Sequence, residues 1–235
     1  MTKNTMSKEE YLTKSNEINT SLEKPKVLTD TDFITIAKER RSVRQYDAEY
    51  VMTEEEIREI LDIAIQAPSS SNLQPWRFLV IQDKQTQQEL LPIAHNQQQI
   101  VDASAVIAVL ADIEGYKNAE RIYGELVNKG IMKNEIKEPY VASIMHNYGN
   151  FSAEKALSVA MIDGGLVSMQ IMLAAKAKGY DTVPMGGFDE DKFVDAFNVP
   201  ENFKPVMLIS LGKGMKAGFE KVRLPLDTLL TWNKY

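Results

Sequence analysis

Apolar positions along this chain follow two patterns. Between residues 53 and 65 they recur at helical spacing, with Ile57, Ile60, Leu61, Ala64 and Ile65 after the run Thr53-Glu54-Glu55-Glu56. That run is a capping box, Thr53 as N-cap and Glu56 at N3. The same period carries Ala156, Val159, Ala160, Gly164, Val167, Ile171, Ala174 and Ala175 through a long helix predicted over Ser152 to Lys178. This helix is apolar almost all round, so it belongs at the centre of the molecule. Its small residues Ala160, Gly164, Gly165 and Ser168 permit close approach and suit pairing with a copy of itself. Shorter helices are predicted from Thr31, over Lys84 to Ala94 and over Asp189 to Phe197. The second pattern is the unbroken apolar run. Ala105 to Leu110 and Pro205 to Leu211 read as strands buried on both faces, and Phe78 to Ile81 and Tyr180 to Pro184 as shorter ones.

Two stretches fit neither pattern. Residues 1–30 read as a polar arm, in which a helix over Ser7 to Glu23 would carry only sparse apolar residues (Tyr11, Leu12, Ile18, Leu22). Gly115 to Tyr148 is polar and helical, broken at Gly130 and Pro139, and suits a lid or an arm. No linker divides the rest, so residues 31–235 are expected to form one domain.

Composition narrows the chemistry. A hydrophobic share of 44% and a charged share of 26% describe a soluble globular protein. The net charge of −6 argues against nucleic acid as the partner. With no cysteine, disulfides, thiol nucleophiles and Cys-ligated metals are excluded. His95 stands alone, so no metal is expected there. The first 30 residues contain no apolar stretch of the secretory type, and the longest apolar run, Ala105 to Ala111, is too short for a bilayer. A cytoplasmic location with no membrane partner is therefore expected. No Gly-x-Ser-x-Gly elbow, His-Glu-x-x-His or P-loop is present, which removes common hydrolase, zincin and NTPase readings.

Four polar motifs carry the remaining signal. In Arg40-Arg41-Ser42-Val43-Arg44 the first two cations could simply complement a helix C-terminus. Arg44 lies beyond that helix, and three guanidiniums beside a hydroxyl also suit a phosphate. Pro68-Ser69-Ser70-Ser71-Asn72-Leu73-Gln74-Pro75-Trp76 holds more donors and acceptors than a turn requires; it is either an ordinary helix-to-strand connection or a stiff loop presenting polar groups to a planar ligand. In Pro184-Met185-Gly186-Gly187-Phe188 the glycines serve either a tight turn or close approach of backbone to a ligand. Lys221-Val222-Arg223 would put both cations on one face of a strand, as a second anion contact or as a solvated edge.

Together and in this order, the four motifs resemble the FMN-dependent nitroreductase family, from about residue 31 to the C-terminus. The resemblance implies an α+β fold with a central mixed, mostly antiparallel sheet flanked by helices. It also implies an intertwined, obligate homodimer with two FMN sites at the subunit interface. Arg40, Arg41 and Ser42 match the family's cofactor-binding first motif, in which Arg40 and Ser42 would meet the FMN phosphate, with Lys221 and Arg223. Arg44 would lie near flavin N1 and O2. Pro68, Ser69, Ser70, Asn72 and Gln74 match the loop that covers the cofactor from the other subunit. Asn96 and Gln99 match the pyrimidine edge, where some relatives have Lys in place of Gln99. Pro184, Met185, Gly186 and Gly187 match the side of flavin N5, where some relatives have Glu in place of Gly186. The implied reaction is ping-pong: hydride from NAD(P)H to bound FMN, then reduction of a nitroaromatic or quinone in the same slot, with no catalytic side chain required. The alternatives are another flavin reaction on this fold (dehalogenation, enoate reduction, flavin reduction or fragmentation) or a non-catalytic FMN-binding protein.

Overall fold

The run Ala105–Asp112 is buried at every position, as a strand with helices on both faces must be. In the computed structural model, which describes residues 7–18, 23–26, 28 and 32–235, it lies inside a four-stranded sheet. In chain order the elements begin with α1 (Lys8–Ile18), α2 (Phe33–Glu39), β1 (Gln45–Tyr46), α3 (Glu54–Ala64) and β2 (Trp76–Ile81). The middle of the chain gives α4 (Lys84–Ile93), α5 (Gln99–Asp102), β3 (Ala105–Asp112), α6 (Ala119–Asn128) and α7 (Asn134–Gly149). The last third gives α8 (Ala153–Ala177), β4 (Asp181–Met185), α9 (Glu190–Ala196), β5 (Phe203–Gly212), β6 (Gly214–Lys216) and α10 (Leu226–Leu229).

The sheet order is β2-β3-β5-β4, every pair antiparallel. A separate β1–β6 ribbon is also antiparallel. Parallel pairing enters at an isolated bridge between Ser42 and Thr182. Alternation along β3 divides the core. Ala105, Ile107 and Val109 face α3 and α8, meeting Ile57, Ile60, Val167 and Ile171. Val106, Ala108 and Leu110 face the other way, in a cluster with Leu90, Ile93 and Phe193 from α4 and α9. Local signals set the helix starts. Asp32 accepts from the Ile34 and Thr35 amides, the Thr53–Glu56 capping box is complete, and Ser152 and Asp189 cap α8 and α9.

Three expectations need correction. Pro139 does not break the chain, because α7 runs through it; the carbonyl it leaves unbonded belongs to exposed Glu135, where water can serve. Lys221 and Arg223 are not on a strand, since β6 ends at Lys216 and residues 217–225 are irregular. The arm helix does not reach Glu23, which is irregular; it is described over Lys8–Ile18, and residues 19–22 lie outside the described part.

The small residues of α8 divide their work. A Cβ on Gly164 would stand 2.6 Å from Val206 Cγ2, so this glycine serves the contact with the chain's own sheet, while Gly165 faces open space. On the outer side Ile162 is 61% exposed, and Leu157, Leu166 and Met169 are also exposed. By length and hydropathy α8 could cross a bilayer; here its inner face is packed on the sheet and α3.

Candidate functional site

The first motif is fixed to the edge of the sheet. Beyond the Ser42–Thr182 bridge, the Val43 amide donates to the Thr182 carbonyl at 3.0 Å. Residues 40–44 therefore run beside β4, the strand that ends in Met185 and leads into Gly186-Gly187. The first and third motifs thus share one sheet edge.

The fourth motif is laid along the first. A Cβ on Gly218 would lie 2.5 Å from the Ser42 carbonyl oxygen, so only glycine permits this approach. Arg41 Nη1 donates to the Gly218 carbonyl at 3.4 Å, and Lys221 Nζ to the Ala37 carbonyl at 3.1 Å. Cations collect as a result. Burial, then the neighbouring Arg223, lowers the pKa of Arg40. Burial, then Arg40, Arg223 and Arg41, lowers that of Lys221. Glu39 opposes this shift and is itself paired with Lys26 at 3.4 Å. Arg40 Nε and Nη1 are buried without a hydrogen-bond partner. Two unpaired guanidinium nitrogens among like charges are costly unless an anion comes to them. Arg44 takes a different place, its guanidinium 5.2 Å from the Phe219 ring centroid and its Nη1 donating to the Ser42 carbonyl at 3.3 Å.

Next to Met185 lies a carboxamide cluster. Gln99 is fully buried; its Nε2 donates to Gln97 Oε1 at 3.1 Å and approaches Met185 Sδ at 3.3 Å. Gln97 Nε2 donates to the Gly187 carbonyl at 2.9 Å. Gln97 was not singled out in the sequence, though it is the residue that ties Gln99 to the Gly-Gly turn. Asn96 sits half-buried in a left-handed turn with φ 56°. Nothing stands within 4 Å of where a Cβ on Gly186 or Gly187 would point, so this turn has room for a ligand on its outer side.

The second motif lies elsewhere. Ser71, Asn72 and Gln74 all have φ near +50°, which is sparse territory for residues with side chains and persists only where surroundings impose it. They are imposed here by partners. The Ser70 amide and hydroxyl both donate to Asp163, Tyr123 Oη donates to the Ser71 carbonyl at 2.8 Å, Ser71 Oγ meets Tyr148 Oη at 2.9 Å, and the Gln74 amide donates to Ser69 Oγ. Burial raises the Asp163 pKa despite the Ser70 bonds. These contacts tie the loop to α6, α7 and α8, and none reaches residues 40–44. Three of the four motifs are thus assembled within one chain, and the 68–74 loop stands apart from them, with Pro68 exposed.

A sequence profile of the nitroreductase family matches residues 37–213. The chain belongs to this family. YodC of Bacillus subtilis, which bears the name NAD(P)H nitroreductase, is 43% identical over 202 residues, covering 86% of this chain and 99% of that protein. A nitroreductase-type structure from Exiguobacterium sibiricum, solved in complex with FMN, is 44% identical with a TM-score of 0.84, covering 88% of this chain and all of that one. The CLA biosynthesis enone reductase of Lactiplantibacillus plantarum is 26% identical over 206 residues, covering 86% of this chain and 95% of that protein.

The residues present fit the cofactor that this nitroreductase fold implies. The unpartnered nitrogens of Arg40 call for an anion with several acceptor oxygens, as a terminal phosphate has. The open Gly186-Gly187 turn and the buried Gln99 carboxamide suit a flat polar ring. Among the described residues, no group of three His, Asp or Glu side chains is placed to hold a metal. Sequence reasoning missed Gly218, Phe219 and Asp163. A glycine three residues before the Lys-x-Arg pair was a usable signal. An aspartate in an otherwise apolar helix was another.

Proposed function

We propose that this nitroreductase-family chain is an FMN-dependent NAD(P)H oxidoreductase, acting as a homodimer on electron-poor acceptors such as nitroaromatics and quinones. The observation that carries this reading is the pair of buried, unpartnered guanidinium nitrogens of Arg40, Nε and Nη1, among Arg41, Lys221 and Arg223. Similarity to a protein solved with FMN and to one named as an NAD(P)H nitroreductase supports it. Bound FMN supplies the hydride chemistry.

The chain supplies binding, charge and exclusion of water. Arg40, Arg41 and Ser42, with Lys221 and Arg223, would hold the phosphate. Arg44 would put a fixed positive charge at the pyrimidine side of the ring, favouring negative charge that develops there. Asn96 and Gln99 would line that edge. Pro184 and Met185 would support the ring on the side of flavin N5, with the backbone of Gly186 and Gly187 facing it. Pro68, Ser69, Ser70, Asn72 and Gln74 of a second subunit would close the site from above. The slot so formed serves NAD(P)H and the acceptor in turn. Residues 31–235 are the catalytic domain in this reading and residues 1–30 an added arm, in the cytoplasm.

Support for the dimer comes from apolar surface that one chain leaves uncovered. The outer face of α8 is exposed at Ile162 and its neighbours, and the tail exposes Val222, Leu224, Leu226, Leu229 and Trp232. Large apolar side chains left uncovered in such number on one helix face and along one tail are the material of an interface. Sedimentation at nanomolar concentration should give a dimer, and an active monomer there would refute this part.

A second reading, reduction of enones, is favoured by the similarity to an enone reductase. Both are decided on the purified protein. A yellow protein bleached by NAD(P)H and rapidly reoxidised by a nitroaromatic or quinone is the expected result. Faster reoxidation by an enone would move the assignment to the second reading. A colourless protein that takes up no FMN would refute both.

A further inference from the structure

The arm helix α1 lies on the ring end of the proposed cofactor site. Three of its side chains reach one continuous surface. Lys8 Nζ donates to Asp102 Oδ1 at 2.8 Å. Tyr11 Oη donates to Gln99 Oε1 at 2.5 Å. Asn16 Oδ1 accepts from Gln45 Nε2 at 2.9 Å and from Lys216 Nζ at 2.7 Å. Positions 8, 11 and 16 fall on one helix face. The arm is held a second time further on, where the Ala217 amide donates to the Glu23 carbonyl at 2.7 Å and Lys176 Nζ to the Lys26 carbonyl at 3.1 Å. Residues 8–18 precede the family match, which begins at 37.

An 11-residue, mostly polar helix has little stability of its own. Its order depends on the contacts it makes. The Lys8–Asp102 pair is weak, because the lysine is half exposed (54%). The Tyr11–Gln99 bond is the more buried contact, and it engages a carboxamide that also meets Met185. Burial raises the Tyr11 pKa although Arg44 and Gln99 oppose it, so the hydroxyl keeps its proton and remains a donor.

We infer that α1 is a displaceable cover on the cofactor site, with the Tyr11 hydroxyl holding the Gln99 acceptor that an incoming flavin's imide N–H must take. This rests on the FMN reading above. It makes the arm a brake on cofactor binding, and Tyr11 its principal contact.

The test uses full-length apoprotein titrated with FMN, followed by quenching of flavin fluorescence, with hydrogen exchange over residues 8–18 as the second readout. Tyr11→Phe removes the bond and keeps the ring. It should bind FMN about two- to ten-fold more tightly than the unaltered chain, as expected for one lost competing hydrogen bond. FMN should also raise exchange in residues 8–18 of the unaltered chain. Equal or weaker binding by Tyr11→Phe, or greater protection of residues 8–18 with FMN, would overturn the inference and make α1 a fixed wall of a site that still binds FMN. If neither protein binds FMN, the functional reading itself falls, and this inference with it.

Discussion

Ser70 donates both its backbone N–H and its hydroxyl to the carboxylate of Asp163, each at 3.1 Å, across 93 positions of sequence. Asp163 is 1% exposed and lies in the middle of the apolar helix α8. The bond fixes the start of a loop whose backbone is held in unfavourable conformations. Replacing Asp163 by Ala should therefore cost about 1–3 kcal/mol, the penalty for leaving the Ser70 amide without its acceptor. Urea unfolding measures it. Asp163→Asn keeps an oxygen acceptor and should lose less; equal losses would show that the charge, rather than the acceptor, is what the loop needs.

Arg40 gives a prediction of two opposite signs. Its unpartnered nitrogens and cationic neighbours weigh against the cofactor-free fold. Arg40→Met should therefore raise the thermal stability of the apoprotein while weakening FMN binding by about ten-fold or more, the range for a charge-assisted hydrogen bond. Inorganic phosphate should stabilise the unaltered apoprotein and leave Arg40→Met unmoved. A variant that loses stability as well as FMN would show that Arg40 is part of the scaffold.

Arg44 is set apart from that cluster by its place over Phe219. Arg44→Ala should keep FMN bound, lower its midpoint potential and slow its reduction by NAD(P)H, since a cation near the ring favours the reduced, more negative form. Arg223→Ala should do the reverse, weakening binding while the potential of the remaining bound flavin stays put. Paired measurements of dissociation constant and potential separate the two. Loss of FMN from Arg44→Ala with an unchanged potential would place Arg44 among the phosphate ligands.

Glu56 predicts a pH dependence. The Tyr180 hydroxyl first, then the Thr53 amide and hydroxyl, bring its pKa down from 4.5 to about 2. A carboxylate depressed in the folded state contributes stability that is fully present above its unfolded value and lost as pH falls through the folded one. The stability difference between the unaltered chain and Glu56→Gln should accordingly stay constant above about pH 5 and close between 4.5 and 2. Denaturant titrations across that range check it.

The Thr53–Glu56 box also shows what was legible in the sequence. Its partners lie three residues apart, so the cap can be read from local order alone. The same holds for the period of α8 and for the apolar runs of β3 and β5, where burial on both faces, complete in β3 and over residues 208–212 of β5, leaves no alternation to misread. What escaped were contacts made at long range. The sequence of α8 shows Gly164 and Gly165 as equivalent, and Val206 distinguishes them. Tyr11 reads as one sparse apolar residue in a polar arm until Gln99 meets it. Lys221 and Arg223 read as a strand pair, but the approach of Gly218 to Ser42 sets their course instead. The Arg40 cluster was visible by composition; that two of its nitrogens lack partners was not.

The separation of the 68–74 loop from the cation cluster within one chain has a genetic consequence. If each site takes its cations from one subunit and its loop from the other, then Arg40→Ala and Asp163→Ala damage different halves of the same site. Two defective proteins mixed, unfolded and refolded together should rescue each other. Random pairing makes half the dimers hybrid, and each hybrid carries one site with both halves sound, so roughly a quarter of all sites should recover. Mixing without subunit exchange should recover none, and a site built from one chain alone would give none under either condition.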